Sequence, residues 1–90
     1  MRQIEIRIYG QVQGVFFRTM VENLAKELGL KGYVENMYDE SVHIVAEGGE
    51  KELEKLLEFC KKGPSAAQIE NVEINWSKGT GEFKDFKVKY

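Results

Sequence analysis

Cysteine, histidine, excess positive charge and long apolar runs are what this 90-residue chain has least of. The single cysteine, Cys60, leaves no partner for an internal disulfide and no cysteine cluster for a metal, so a reducing, cytoplasmic setting is expected. The lone histidine, His43, alternates with Val42 and Ile44, and is expected to be an exposed strand residue. It has no second histidine or cysteine from which a metal site or nucleophilic triad could be assembled. No apolar run approaches the roughly 18 residues that span a bilayer. The opening Met1-Arg2-Gln3-Ile4 passes straight into a strand pattern, with no apolar leader segment. Lysine and arginine total 13 against 15 aspartate and glutamate, a net charge of −2. That balance argues against a nucleic-acid module, which binds by neutralising phosphates.

What is present suffices for one domain spanning residues 1–90 and is too short for two. The 42% hydrophobic residues, with 11% aromatics, can fill one continuous core. Glutamate and lysine dominate the 31% charged fraction, a bias compatible with a heat-adapted source.

Periodicity orders the elements. Ile4, Ile6 and Ile8 share one face of a half-buried strand over residues 3–9. Phe17, Met20, Val21, Leu24 and Leu28 then recur at helical spacing, which predicts a helix from Phe17 to Leu28 stopped by Gly29. Thr19 and Glu22 offer a competing start as a capping box. Two strands, Lys31–Tyr38 and Ser41–Glu47, flank a tight turn at Asp39-Glu40. Leu53, Leu56, Leu57 and Cys60 trace a second amphipathic helix ended by Gly63-Pro64. Strands follow over Gln68–Trp76, irregular near Ile69, and at Phe86–Tyr90. The βαββαβ order with a terminal strand implies an α+β fold. Its form is a ferredoxin-like split βαβ sandwich, an antiparallel sheet with two helices on one face.

Between the first strand and first helix lies Gly10-Gln11-Val12-Gln13-Gly14-Val15-Phe16-Phe17-Arg18. A glycine at each end permits a tight backbone, and a helix start presents N–H groups without intrahelical partners. Successive N–H groups around a concavity bind anions, and an arginine adds a planar fork of donors suited to phosphate oxygens. A cation at a helix start sits against the macrodipole, so Arg18 implies an anion close by. The stretch reads as a small phosphate or carboxylate cradle. Cys60 reads as a small core residue. Phe16, Tyr33 and Trp76 are expected in the core, and Lys84, Lys87 and Lys89 as edge-strand protection against aggregation.

Gly-x-Val-Gln-Gly-Val-x-Phe-Arg resembles the signature loop of the acylphosphatases, small enzymes that hydrolyse acyl phosphates. The resemblance continues through Leu28-Gly29-Leu30-Lys31-Gly32-Tyr33-Val34-Glu35-Asn36, Ser41-Val42, Ala46-Glu47-Gly48 and Gly63-Pro64-Ser65-Ala66-Ala67. Tyr33 stands where tryptophan is commoner, Glu40 replaces a frequent turn glycine, and Met37 stands where a small polar residue is often found. These departures touch the turn and the pocket mouth and remove no catalytic side chain. The resemblance implies catalysis by Arg18 and Asn36, the asparagine positioning the attacking water. Substrate binding would fall to Gln13, Gly14, Val15, Phe16, Phe17 and Arg18. It also implies a small-molecule acyl phosphate as substrate, no metal or organic cofactor, no nucleic-acid or membrane partner, and a monomer. In some relatives the end of the chain supports the arginine, which would give the Tyr90 carboxylate that part. The rival readings are a non-catalytic anion- or phosphate-binding ferredoxin-like module and an accessory domain of a larger carbamoyl-transfer enzyme.

Overall fold

The computed structural model describes residues 1–14, 16–65 and 67–90. Val15, expected in the substrate-binding loop, and Ala66 lie outside them. The elements run β1 (Arg2–Gln11), α1 (Phe17–Glu27), β2 (Lys31–Asn36), β3 (Val42–Gly48), α2 (Glu50–Lys62), β4 (Gln68–Lys78) and β5 (Phe86–Lys89). The first helix starts at Phe17, where the apolar stripe begins, and not at the Thr19 capping box.

The sheet order is β4-β1-β3-β2-β5. The three pairings among β4, β1, β3 and β2 are antiparallel, as expected, but β5 pairs parallel to β2, Gly32 opposite Phe86 and Glu35 opposite Lys89. The sheet is therefore mixed, because the chain crosses from β4 at one edge to β5 at the other before pairing. Ile8 and Asn36 both pair with Val42, from opposite sides. Hence β1 and β2 run in the same direction on either side of β3, and both end at the same rim of the sheet.

Opposed residues in an antiparallel pair share a face. Ile4, Ile6 and Ile8 stand beside Ala46, Ile44 and Val42 on β3, and all six are fully buried. Both helices cover this face, α1 mainly over β2 and β5, α2 over β1, β3 and β4. Phe17, Val21 and Ala25 of α1, and Leu53, Leu56 and Cys60 of α2, close the core. Burial pushes the Cys60 thiol well above its ordinary value, which leaves it protonated and unreactive.

The irregularity expected near Ile69 is a bulge. Tyr9 pairs with Asn71 and Gly10 with Ile69, so Glu70 has no counterpart on β1. There Gly10 has φ 132°, and a Cβ would stand 2.0 Å from the Gln68 carbonyl oxygen. Only glycine fits.

The outer face of the sheet departs from expectation. His43 is only 8% exposed, and Ser41, Val45 and Glu47 on the same face are also buried. The alternation of β3 correctly turned His43 away from the helices. It gave no sign that long side chains on both flanking strands, and the loop before β5, cover the central strand. His43 Nε2 lies 2.7 Å from Glu5 Oε2, and Nδ1 lies 3.7 Å from Glu35 Oε1. The Tyr33 ring meets the imidazole edge-on at 5.8 Å and packs against Phe83 at 5.9 Å.

Glu47 fastens the loop before β5 to this face. Its carboxylate accepts hydrogen bonds from Gln3 Nε2 (2.6 Å), the Thr80 amide and hydroxyl (2.8 Å each) and the Gly81 amide (2.9 Å). Burial alone would raise its pKa, but these four donors outweigh burial and hold the carboxyl below its ordinary value. A group with a depressed folded pKa stabilises the fold above its unfolded pKa, and that stability fades as pH falls through the folded value. Glu47→Gln turns an amide toward backbone donors and is expected to cost about 1–3 kcal/mol at neutral pH. Thermal melts would show the deficit intact above the ordinary carboxyl pKa of 4.5 and shrinking below it. A deficit equal at pH 7 and pH 3 would refute the carboxylate's role.

Candidate active site

The rim where β1 and β2 both end holds every described residue that the sequence nominated. Past Gln11 the chain turns into the cradle loop and enters α1 on the helix-covered side. Asn36, the last residue of β2, shares that face because it is paired with Val42, whose side chain points into the core. Val12, Gly14, Phe16, Phe17, Arg18, Thr19 and Asn36 enclose one concavity of about 220 Å³. Pockets for drug-sized ligands usually start at about 300 Å³. This one suits a small anion.

Local backbone geometry explains the concavity. Gly14 has φ 77° and Phe16 has φ 60°, both left-handed. Glycine takes that conformation freely. Phenylalanine does so at a cost of roughly 1–2 kcal/mol, the kind of strain that collects at functional sites. Phe16 is also the N-cap of α1 and is 81% exposed, so the expectation of a core role fails for it. The turn that begins the helix throws its ring outward at the mouth of the hollow, while Phe17 behind it is buried and anchors the turn.

The start of α1 is left electrostatically unfilled. Among the described residues no side chain caps it, and no acidic residue lies in its first turn. In α2 the first turn carries Glu50 and Glu52. Helix starts favour negative charge, and α2 supplies its own. In α1 the residue in that position is Arg18, which adds positive charge to positive dipole. Two like terms converge on one hollow, and an anion satisfies both.

Arg18 is held by the end of the chain. Its Nη1 donates to the Lys89 carbonyl at 3.4 Å, and its guanidinium carbon lies 5.0 Å from the centre of the Tyr90 ring. The Tyr90 contact is therefore made by the ring. Among the described residues, no ion pair joins a carboxylate to Arg18. Lys89 Nζ in turn sits 4.2 Å over the Tyr33 ring on β2. This support exists because β5 pairs with β2, a placement that strand periodicity cannot reveal.

Asn36 presents an unusual atom. Its Oδ1 is buried, yet it has no hydrogen-bond partner among the described residues. Leaving a buried acceptor unpaired costs about 1–3 kcal/mol, so such an atom calls for a donor from outside the chain. Beside it, Gln13 Nε2 donates to the carbonyls of Met37 (3.0 Å) and Ser41 (2.9 Å). Gln13 was expected to bind substrate, but its amide nitrogen is engaged by the hairpin after Asn36.

These features match known proteins over the whole chain. Residues 4–88 match the Acylphosphatase family model. The chain belongs to the acylphosphatase family. It is 47% identical over 90 residues to an acylphosphatase of Thermotoga maritima, covering 100% of this chain and 99% of that one. To an acylphosphatase of Caldanaerobacter subterraneus it is 44% identical over 87 residues, covering 97% of each. The fold superposes on the crystal structure of the Bacillus subtilis acylphosphatase with a TM-score of 0.94 at 33% identity, covering 100% of both chains. The ferredoxin-like α+β sandwich is the fold of this family, and the resemblance read from the glycine loop holds from end to end.

Arg18, Asn36, Gly14, Phe16 and Phe17 thus meet at one hollow, with Gln13 bracing its wall. Val12, fully buried and within the stretch read as the cradle but not named as a binding residue, and Thr19, just beyond it, also line the hollow. The signal for Thr19 was its position one residue beyond Arg18 in the first turn. For Lys89 the sequence held no signal, and Tyr90 was expected beside Arg18 only through the resemblance, by its carboxylate and not by its ring. His43 and Cys60 lie elsewhere, on the outer face and in the core.

Proposed function

We propose that the Gly14–Arg18 loop holds the phosphoryl group of an acyl phosphate and that Asn36 orients the water that attacks it. This is the residue-level account of the acyl-phosphate hydrolysis that family membership assigns to the chain. The observation that carries it is the unpaired, buried Oδ1 of Asn36 on the wall of an anion-suited hollow. That oxygen accepts one O–H of the water and aims its lone pair at phosphorus. The α1 amides and the Arg18 guanidinium take the charge on the equatorial oxygens, the main catalytic task in phosphoryl transfer. As the water oxygen bonds to phosphorus, the bond from phosphorus to the acyl oxygen breaks and its electron pair leaves with the carboxylate. The conjugate acid of that leaving group has a pKa of about 4, so no protein acid is required. The water's proton passes to a phosphate oxygen, so no protein base is required either. His43, remote on the outer face, has no part.

The substrate is a small-molecule acyl phosphate, with neither nucleic acid nor membrane as partner. The enzyme acts as a monomer, a reading supported by a site assembled from one chain. No helix is long and apolar enough to cross a membrane among the described residues. A cytoplasmic location is favoured by the free thiol of Cys60.

Hydrolysis of an acyl phosphate in ¹⁸O-labelled water tests the direction of attack. The label is expected in inorganic phosphate and not in the carboxylate. Label in the carboxylate would mean attack at the acyl carbon and would remove the role given to Asn36.

A further inference from the structure

We infer that Gln13 is a positioning residue that sets where Asn36 stands relative to the phosphate cradle. The inference rests on the water-orienting role proposed for Asn36.

Gln13 lies in the cradle loop, immediately before Gly14, yet its side chain reaches across the rim to the β2–β3 hairpin. Nε2 contacts two carbonyl oxygens, Met37 at 3.0 Å and Ser41 at 2.9 Å. Carbonyls only accept, so the amide nitrogen must face them and both of its N–H bonds are used there. These two carbonyls belong to the groups that close the hairpin. Met37 N donates to Ser41 O at 2.8 Å, and Glu40 N donates to Met37 O at 3.1 Å. Gln13 therefore adds a further donor at each end of the hairpin's last closing pair, one peptide beyond Asn36.

Without it, the cradle and Asn36 would be joined across the rim mainly through the first residues of β3. The hairpin tip is itself held in a costly shape, with Glu40 at φ 72°. It keeps that shape through Asp39 Oδ1, which accepts from the Ser41 amide and hydroxyl. That local clasp shapes the turn but does not tie it to the loop. Gln13 makes that tie. An in-line water must be placed to a fraction of an ångström, and small errors of position are costly in rate. The structure thus separates two tasks in one loop: backbone and Arg18 for the phosphoryl group, the Gln13 side chain for the nucleophile's holder.

Gln13→Met keeps length and removes the donors. Gln13→Lys keeps donors within reach of the same carbonyls. Kinetics on an acyl phosphate, inhibition by inorganic phosphate, and thermal melts would be measured for both, for Asn36→Ala and for Gln13→Met combined with Asn36→Ala. We expect Gln13→Met to lower kcat about tenfold, leave the phosphate inhibition constant within twofold, and have no further effect once Asn36 is alanine. Gln13→Lys is expected to recover most of the kcat lost in Gln13→Met, and should Gln13→Met not fold, Gln13→Asn, one methylene too short to reach both carbonyls, is expected to show the same kcat loss at an unchanged phosphate inhibition constant. A phosphate inhibition constant raised severalfold in Gln13→Met would make Gln13 a substrate ligand and overturn the inference. So would an undiminished tenfold loss in the Asn36→Ala background, a lowered melting temperature with unchanged kcat, or a tenfold loss in Gln13→Lys. If Asn36→Ala alone leaves kcat unchanged, the failure lies in the water-orienting reading and takes this inference with it.

Discussion

Arg18→Ala is expected to lower kcat/KM by two to three orders of magnitude and to weaken inhibition by phosphate in parallel. Among the described residues, Arg18 is the one charged side chain lining the hollow, and it stands where the helix dipole already points positive charge at the same place. Removing one preorganised donor from an oxyanion site costs about 3–4 kcal/mol in transition-state stabilisation. A guanidinium brings both a full charge and a fork of donors, so the loss should reach at least that range. Arg18→Lys should recover little, because a point charge on a flexible stem does not match the fork. Stability is a control here. Arg18 is partly exposed, and its contacts, one long hydrogen bond at 3.4 Å and one ring at 5.0 Å, are modest. Melting temperature should therefore change little. Steady-state rates for wild type and both variants, with phosphate as inhibitor, decide the matter. An alanine variant within tenfold of wild type would show that the backbone amides carry the charge alone.

Asn36→Ala is expected to lower kcat about a hundredfold while the phosphate inhibition constant stays within about twofold, the pattern of a misplaced nucleophile. The split between the two constants is the diagnostic. In the proposed mechanism Arg18 acts on a group present in both ground and transition states, so its loss should appear in binding and in rate. The same mechanism gives Asn36 the water and not the phosphate, so its loss should appear in rate alone. The variant should also be no less stable than wild type, and slightly more so, since it removes a buried acceptor that has no partner among the described residues. Weakened phosphate binding with unchanged turnover would reverse the assignment and make Asn36 a phosphate ligand.

The same two residues show what could be read before any coordinates. The place of Arg18 at the hollow was legible because two independent features, a glycine-bounded loop and a cation against a helix dipole, gave one reading. The place of Asn36 was legible only through resemblance, since an asparagine ending a strand has many ordinary explanations. The helices and the inner sheet face were legible because one side of each element is buried. Burial on one side imposes period 2 on β1 and the helical period on Phe17, Val21 and Ala25.

The outer face was not. Alternation reports which side of a strand points away from the helices, and nothing about what lies over that side. His43 became buried because Glu5, Glu35 and Tyr33 close over it from the neighbouring strands. Three of the four hydrogen bonds to Glu47 come from residues 33 and 34 positions further along the chain, and the fourth from Gln3 on β1.

By itself, then, the sequence determined the element order, the inner core, the cradle loop and its charge, because each depends on residues near one another in the chain. Only the tertiary structure decided that β5 lies parallel beside β2 and so brings Lys89 and Tyr90 to Arg18. It alone decided that Ile8 and Asn36 flank Val42, which puts the ends of two strands, with Arg18 and Asn36 beside one hollow, on one rim. Pairing partners are chosen by the packing of the whole sheet, and a strand's own residues do not encode which neighbour it will meet.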